Sequence, residues 1–121
     1  MRKVGFLASR KISTLSILPT LDWALKISKQ KNIAIVSGFH SKMERAVLKI
    51  LLHGECGIIV GLARGMYSKL PKQYEESMSQ NRLLIISYEK ESVTRVSEAT
   101  AHKRNDYVRE IEDKMQVTPF Y

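Results

Sequence analysis

The segment Ile33-Ala-Ile-Val-Ser-Gly-Phe-His40 carries a short apolar strand into a Ser37-Gly38 turn, after which a helical pattern begins. A junction of this kind aims backbone N–H groups and the positive end of a helix at one point, which suits a phosphate or another anion. Two basic segments accompany it. Ala8-Ser9-Arg10-Lys11 follows the first apolar run, His102-Lys103-Arg104-Asn105 lies near the C-terminus, and both read as loops at the same end of a sheet. Arginine forks bind phosphates without reading bases, and Phe39 offers a stacking face for a base. Gly61-Leu-Ala-Arg-Gly65 is a second glycine-bearing turn and adds Arg64. Each feature also has a plainer reading. Ser37-Gly38 serves equally as a tight turn, Phe39 as a core aromatic or lid, and Arg104 with Asn105 as an internal polar lock in which the asparagine caps the last helix. Lys42, Arg45 and Lys49 stand at helical spacing and read as a solvated face.

The same inventory points away from catalysis. His40, His53 and His102 share no metal-ligand spacing, and one cysteine, Cys56, rules out a thiolate cluster. No lysine follows a glycine loop in the Walker manner, and no full G-x-G-x-x-G occurs. Glu44 and Glu55 are carboxylates without an acid–base partner pattern. No metal or cofactor is expected.

Charge is distributed more tellingly than its total of +8. Residues 1–72 hold 13 Lys and Arg against Asp22, Glu44 and Glu55, a balance of +10, whereas residues 73–121 stand at −2. The basic part contains the strand–glycine turns, so a positive field there attracts polyanions. Many basic proteins have no nucleic-acid partner, so charge alone does not decide the matter. The 121 residues fit one domain, and no apolar run reaches the roughly 18 residues of a membrane span. The apolar stretch before Arg10 is too short for a signal peptide, and a lone cysteine in an apolar run reads most simply as a reducing cytoplasm.

The elements that position these residues alternate. Val4–Ala8, Ile33–Val36, Cys56–Val60 and Leu83–Ser87 read as strands, continuous in apolar character as in parallel sheets covered by helices. A helix over about 18–30 has Pro19 in its first turn, with Leu21, Ala24, Leu25 and Ser28 on one stripe. Ser41 with Glu44 is a capping box for the next helix, which buries Met43, Ala46, Val47, Ile50 and Leu51 and stops at His53-Gly54. Pro71–Gln80 is a short helix, and Asn105–Met115 a last one. The order implies right-handed crossovers and an open, mostly parallel, doubly wound sheet of four or five strands with helices on both faces. Ligands of such sheets lie beyond the carboxyl ends of the strands. Open edges, together with Trp23, Tyr88, Phe120 and Tyr121 outside the core stripes, lead us to expect a homodimer.

Four segments taken in order resemble the Rossmann-like core of the DprA/Smf DNA-processing family. Gly5-Phe-Leu-Ala-Ser-Arg-Lys-Ile-Ser13 resembles its glycine-serine-arginine turn, with Ala8 in the glycine position; Ile35-Val-Ser-Gly38 resembles its valine-serine-glycine turn. Gly57-Ile-Ile-Val-Gly61 through Leu70-Pro71 resembles its third strand and tyrosine-proline loop, and Ala101-His-Lys-Arg-Asn105 its arginine-asparagine segment. The chain departs from the family at His40-Ser41-Lys42-Met43-Glu44, where alanine-arginine-glycine-isoleucine-aspartate is usual, and at Asp106, where a second arginine is usual. The resemblance implies a non-catalytic single domain that binds single-stranded DNA through Arg10, Ser37, Gly38, Lys103, Arg104 and Asn105, with Arg64 in addition. It also implies a homodimer and, as a partner, a recombinase. A small nucleotide-binding or nucleotide-sensing domain is the alternative. The related fold includes phosphoribohydrolases with a proline-glycine-glycine-x-glycine-threonine segment, but here Gly61-Leu-Ala-Arg-Gly65 has no acidic residue after it until Glu75.

Overall fold

The structure is a computed structural model that describes residues 2–8 and 14–111. Four strands, β1 (Arg2–Gly5), β2 (Ile33–Ser37), β3 (Gly57–Gly61) and β4 (Leu83–Ile86), form one all-parallel sheet in the order β1-β2-β3-β4. Helices α1 (Thr14–Ile27), α2 (Lys42–Leu52) and α3 (Glu75–Ser79, preceded by a 3-10 turn at Lys72–Tyr74) connect them, and α4 (Glu98–Ile111) follows β4. Among the described residues no helix is long and apolar enough to cross a membrane.

Strand register explains the two layers. Val4, Ile35, Ile58 and Leu83 stand in one row across all four strands and point into the main core with α1, α2 and α3. Their neighbours Val36, Ile59 and Ile86 point the other way, where Leu7 and the α4 residues Tyr107, Val108 and Ile111 cover them. Right-handed crossovers between sequential neighbours put every connecting helix on one face. The strand order does not reverse between β1 and β4, so the sheet is wound in one direction there rather than doubly wound. The second face is covered by α4, which comes back over β1 and β2.

Several expectations shift for identifiable reasons. Helix α1 begins at Thr14, not near 18, so Pro19 sits in its interior. The ring keeps a helical φ there, but an interior proline gives up one N–H and crowds the carbonyl four residues back, at a cost of about 3 kcal/mol that the rest of the helix offsets. Leu25, expected on the buried stripe, is 50% exposed, while Thr20 is buried and its Oγ1 donates to Ser16 O at 2.6 Å. Trp23 finds a place after all, stacked on Phe6 at 5.3 Å. Gly54 ends α2 without a left-handed φ. A Cβ there would lie 2.5 Å from Ser28 O, the carbonyl that accepts from both Glu55 N and Cys56 N at 2.6 and 3.0 Å. The fifth strand considered for Val117–Tyr121, with Phe120 and Tyr121, lies outside the described residues.

Arg82 closes the opposite end of α2. Its Nη1 donates to Cys56 O at 2.7 Å, and its Nη2 donates to Leu52 O at 2.9 Å and to Ser77 Oγ at 3.2 Å. A cation on the last carbonyls of a helix satisfies acceptors that have no intrahelical donor. Arg82→Ala is expected to lower unfolding free energy by about 2–3 kcal/mol in urea titration, because charged hydrogen bonds to half-buried carbonyls are lost. Burial raises Cys56 from 9.0 to about 11 and Tyr74 and Tyr107 from 10.0 to about 12. Each group holds its proton more tightly when folded, so stability is full below about pH 9 and falls as pH rises toward 12. A falling urea midpoint over that window in wild type, with a shallower fall between pH 9 and 11 in Cys56→Ala, is the expected result.

Candidate functional site

The chain turns sharply where β2 meets α2. Ser37 is fully buried and its Oγ accepts from Phe39 N at 3.1 Å, which holds Phe39 at a φ of 48°. A left-handed conformation at a phenylalanine costs about 1–2 kcal/mol. It is offset by burial of the ring, 5% exposed, in the main core. The turn presents two backbone N–H groups to one carboxylate: Glu44 Oε1 accepts from His40 N at 2.9 Å and from Ser41 N at 3.1 Å. Ser41 Oγ accepts from Glu44 N at 3.2 Å, so the capping box expected from sequence is complete. Glu44 Oε2 reaches further and accepts from Ala8 N at 3.0 Å, tying the exit of β1 to the start of α2.

Helix α4 lies across these strand ends on two glycines. A Cβ on Gly38 would overlap the Arg104 guanidinium, and one on Gly61 would sit 3.0 Å from the Tyr107 ring, whose hydroxyl donates to Leu62 O at 2.7 Å. Arg104 and Tyr107 are three residues apart and share a helix face. The glycines read as phosphate turns are therefore the seats on which α4 docks.

Arg104 is 5% exposed and its Nε donates to Asn105 Oδ1 at 2.7 Å. Among the described residues no carboxylate pairs with it within 4 Å. Burial pulls its pKa below the ordinary arginine value, opposed chiefly by Glu44, and it stays charged because arginine does not lose its proton in proteins. Glu44 is already engaged by three backbone donors. The guanidinium also lies at the positive end of α2, where Lys42 and Met43 have no intrahelical acceptor for their N–H groups. The guanidinium, the first turn of α2 and the Glu44 carboxylate thus lie close together at the strand ends.

Two open clefts flank this point, sharing His40. One, of about 480 Å³, runs between His40 and the α4 residues Glu98, His102 and Asn105. The other, about 280 Å³, is lined by His40, Ser41, Lys42 and Arg45. A further cavity, about 650 Å³, is mostly apolar and lies along β4 with Leu70, Met78 and Leu84.

The expected site residues separate accordingly. Gly38, Arg104 and Asn105 come together, and Asn105 lines the larger cleft. Ser37 is buried with its hydroxyl accepting from Phe39 N, and Phe39 is buried in the main core, so neither the hydroxyl nor the ring faces solvent. Lys103 pairs with Glu89 at 3.2 Å. Arg64 lies 5.0 Å over the Tyr67 ring and donates from Nε to Gly65 O at 3.2 Å. Arg10 falls outside the described residues.

His102–Asn105 is helical, not a loop, and Asn105 caps nothing. The cap is seven residues earlier than the expected start would place it: Ser97 Oγ accepts from Thr100 N at 3.1 Å and Thr100 Oγ1 from Ser97 N at 2.9 Å. A threonine in the place of the usual Glu or Gln hid this box in the sequence. His40, His102, Lys42 and Arg45 were also missed as cleft residues. Their signal was proximity to the caps of α2 and α4. Among the described residues no group of His, Cys, Asp and Glu forms a metal cluster.

No protein-family model matches the chain, and no curated protein or solved structure was found to match it.

Gly38→Ala drives the Arg104 side chain off its seat. Since the end of an arginine moves at modest cost, the expected stability loss is about 1 kcal/mol and is not additive with that of Arg104→Ala, as a double-mutant cycle in urea would show. Glu44→Gln, which sets an amide against backbone donors, is expected to cost about 2–3 kcal/mol.

Proposed function

We propose that the strand ends bind the phosphates of single-stranded nucleic acid without catalysing a reaction, with DNA as the partner the family resemblance implies. The observation that carries the reading is the buried Arg104 guanidinium, placed beside Gly38 where β2 leads into α2. An anion there gains two guanidinium nitrogens and first-turn N–H groups in a low-dielectric setting. Extension to a polymer is supported by the outer face of α2. Lys42, Arg45 and Lys49 are exposed and run away from the cleft along one helix face, so successive phosphates meet successive cations. The solvated face of the sequence reading thereby acquires a direction. The reading agrees with the resemblance to DNA-processing proteins, on which the further proposal of a recombinase partner rests; a homodimer is proposed from that resemblance and from the open sheet edges, and a cytoplasmic location from the lone Cys56.

A second reading draws on the cleft of about 480 Å³ beside His40 and Asn105, a volume that accommodates one nucleotide. Salt dependence separates the two. A polymer loses affinity with a slope near −0.7 per phosphate contacted, and a mononucleotide shows a shallow one. In anisotropy titrations of labelled oligothymidine, Arg104→Ala should weaken binding at least about tenfold. Lys42→Ala with Arg45→Ala should flatten the log–log salt slope by about 1.4 units, two contacts' worth. Absence of binding by wild type at low salt would overturn the nucleic-acid reading, and a shallow slope with AMP competing for the site would transfer support to the nucleotide.

A further inference from the structure

Tyr88 is the aromatic that neither the core nor the anion site accounts for. It follows β4 at the same end of the sheet as Gly38 and Gly61, and it is 61% exposed. Its ring is nonetheless held, meeting Tyr107 edge-on at 4.6 Å and 81°. Tyr107 is itself fixed by the bond to Leu62 O and by its seat on Gly61. An exposed ring with a rigid backing loses little freedom when something stacks on it, unlike a surface tyrosine in open solvent.

Its neighbours connect it to the anion site. Tyr107 and Arg104 occupy one face of α4, and Tyr107 feels the charges of Arg104 and Glu89. Glu89, next in the chain to Tyr88, holds the ammonium of Lys103 at 3.2 Å. Two strand spacings, about 10 Å, separate the ends of β2 and β4. One nucleotide and its neighbour bridge such a span. An aromatic face beside a cation, one step from a phosphate seat, is the arrangement that takes unpaired bases.

We propose that Tyr88 is a base-stacking platform, so that a strand whose phosphate sits at Arg104 and Gly38 lays an adjacent unpaired base on the Tyr88 ring. This rests on the nucleic-acid reading above and adds the chemical requirement that the ligand carry an accessible base. Duplex DNA, whose bases are already stacked, leaves the platform empty. The role expected for Phe39 thus passes to Tyr88.

The test compares labelled oligothymidine with an abasic sugar–phosphate strand of the same length, using wild type, Tyr88→Ala and Tyr88→Phe. Wild type should favour the thymidine strand. Tyr88→Ala should weaken that strand roughly 5- to 100-fold while leaving abasic binding unchanged. Tyr88→Phe, which keeps the ring, should bind like wild type. Unchanged abasic affinity in Tyr88→Ala shows that the phosphate seat has survived the substitution, and if that variant fails to fold, the wild-type preference and the Phe variant still decide. Equal binding of both strands by wild type, or an unchanged preference in Tyr88→Ala, overturns the platform and leaves the phosphate site standing. Binding of neither strand by wild type overturns both.

Discussion

A buried carboxylate with three backbone donors organises the strand ends. Glu44 accepts from Ala8, His40 and Ser41, and so joins the exit of β1, the turn after β2 and the first turn of α2 in one hydrogen-bonded unit. Because its oxygens are occupied by backbone, it offers Arg104 long-range attraction and no contact within ion-pair distance. The guanidinium is thus drawn toward the site without pairing directly with Glu44. Remove Glu44 and the turn, the cap and the electrostatic balance change together.

Glycine placement then decides what lies on that unit. Gly38 and Gly61 end neighbouring strands on the face that α4 covers, and their bare Cα atoms let Arg104 and Tyr107 approach more closely than any side chain would permit. Strand-end glycines are commonly read as room for a ligand. Here they are first room for the protein's own helix, and the arginine that helix delivers supplies the charge. The proposed anion site is therefore secondary to the packing of α4.

Much of this was legible in the sequence where local chemistry dominates. Continuous apolar runs at Ile33–Val36 and Leu83–Ser87 marked parallel strands, the first buried throughout and the second at the sheet edge with Leu84 exposed, and Ser41 with Glu44 marked the cap, since both signals act within a few residues. What escaped depends on contacts distant in the chain. The bond from Glu44 to Ala8 spans 36 residues, and the seating of Arg104 on Gly38 joins the last helix to the second strand. The start of α4 escaped because Ser97 and Thr100 cap it through a pair seldom used that way. Between the stacking-face and core readings of Phe39 the sequence does not choose, because the left-handed φ that accompanies its burial has no signature at a phenylalanine. Single-direction winding likewise depends on strand order, on which hydrophobic periodicity is silent.

The central proposal is that the positive groups at Arg104 and the start of α2 hold a phosphate. Amide and guanidinium NMR shifts during titration with inorganic phosphate address it without assuming a polymer. The account predicts saturable shifts concentrated at the N–H groups of Gly38, Lys42 and Met43 and at Arg104 Nε. Shifts spread evenly over surface lysines, or none at these groups, would contradict it.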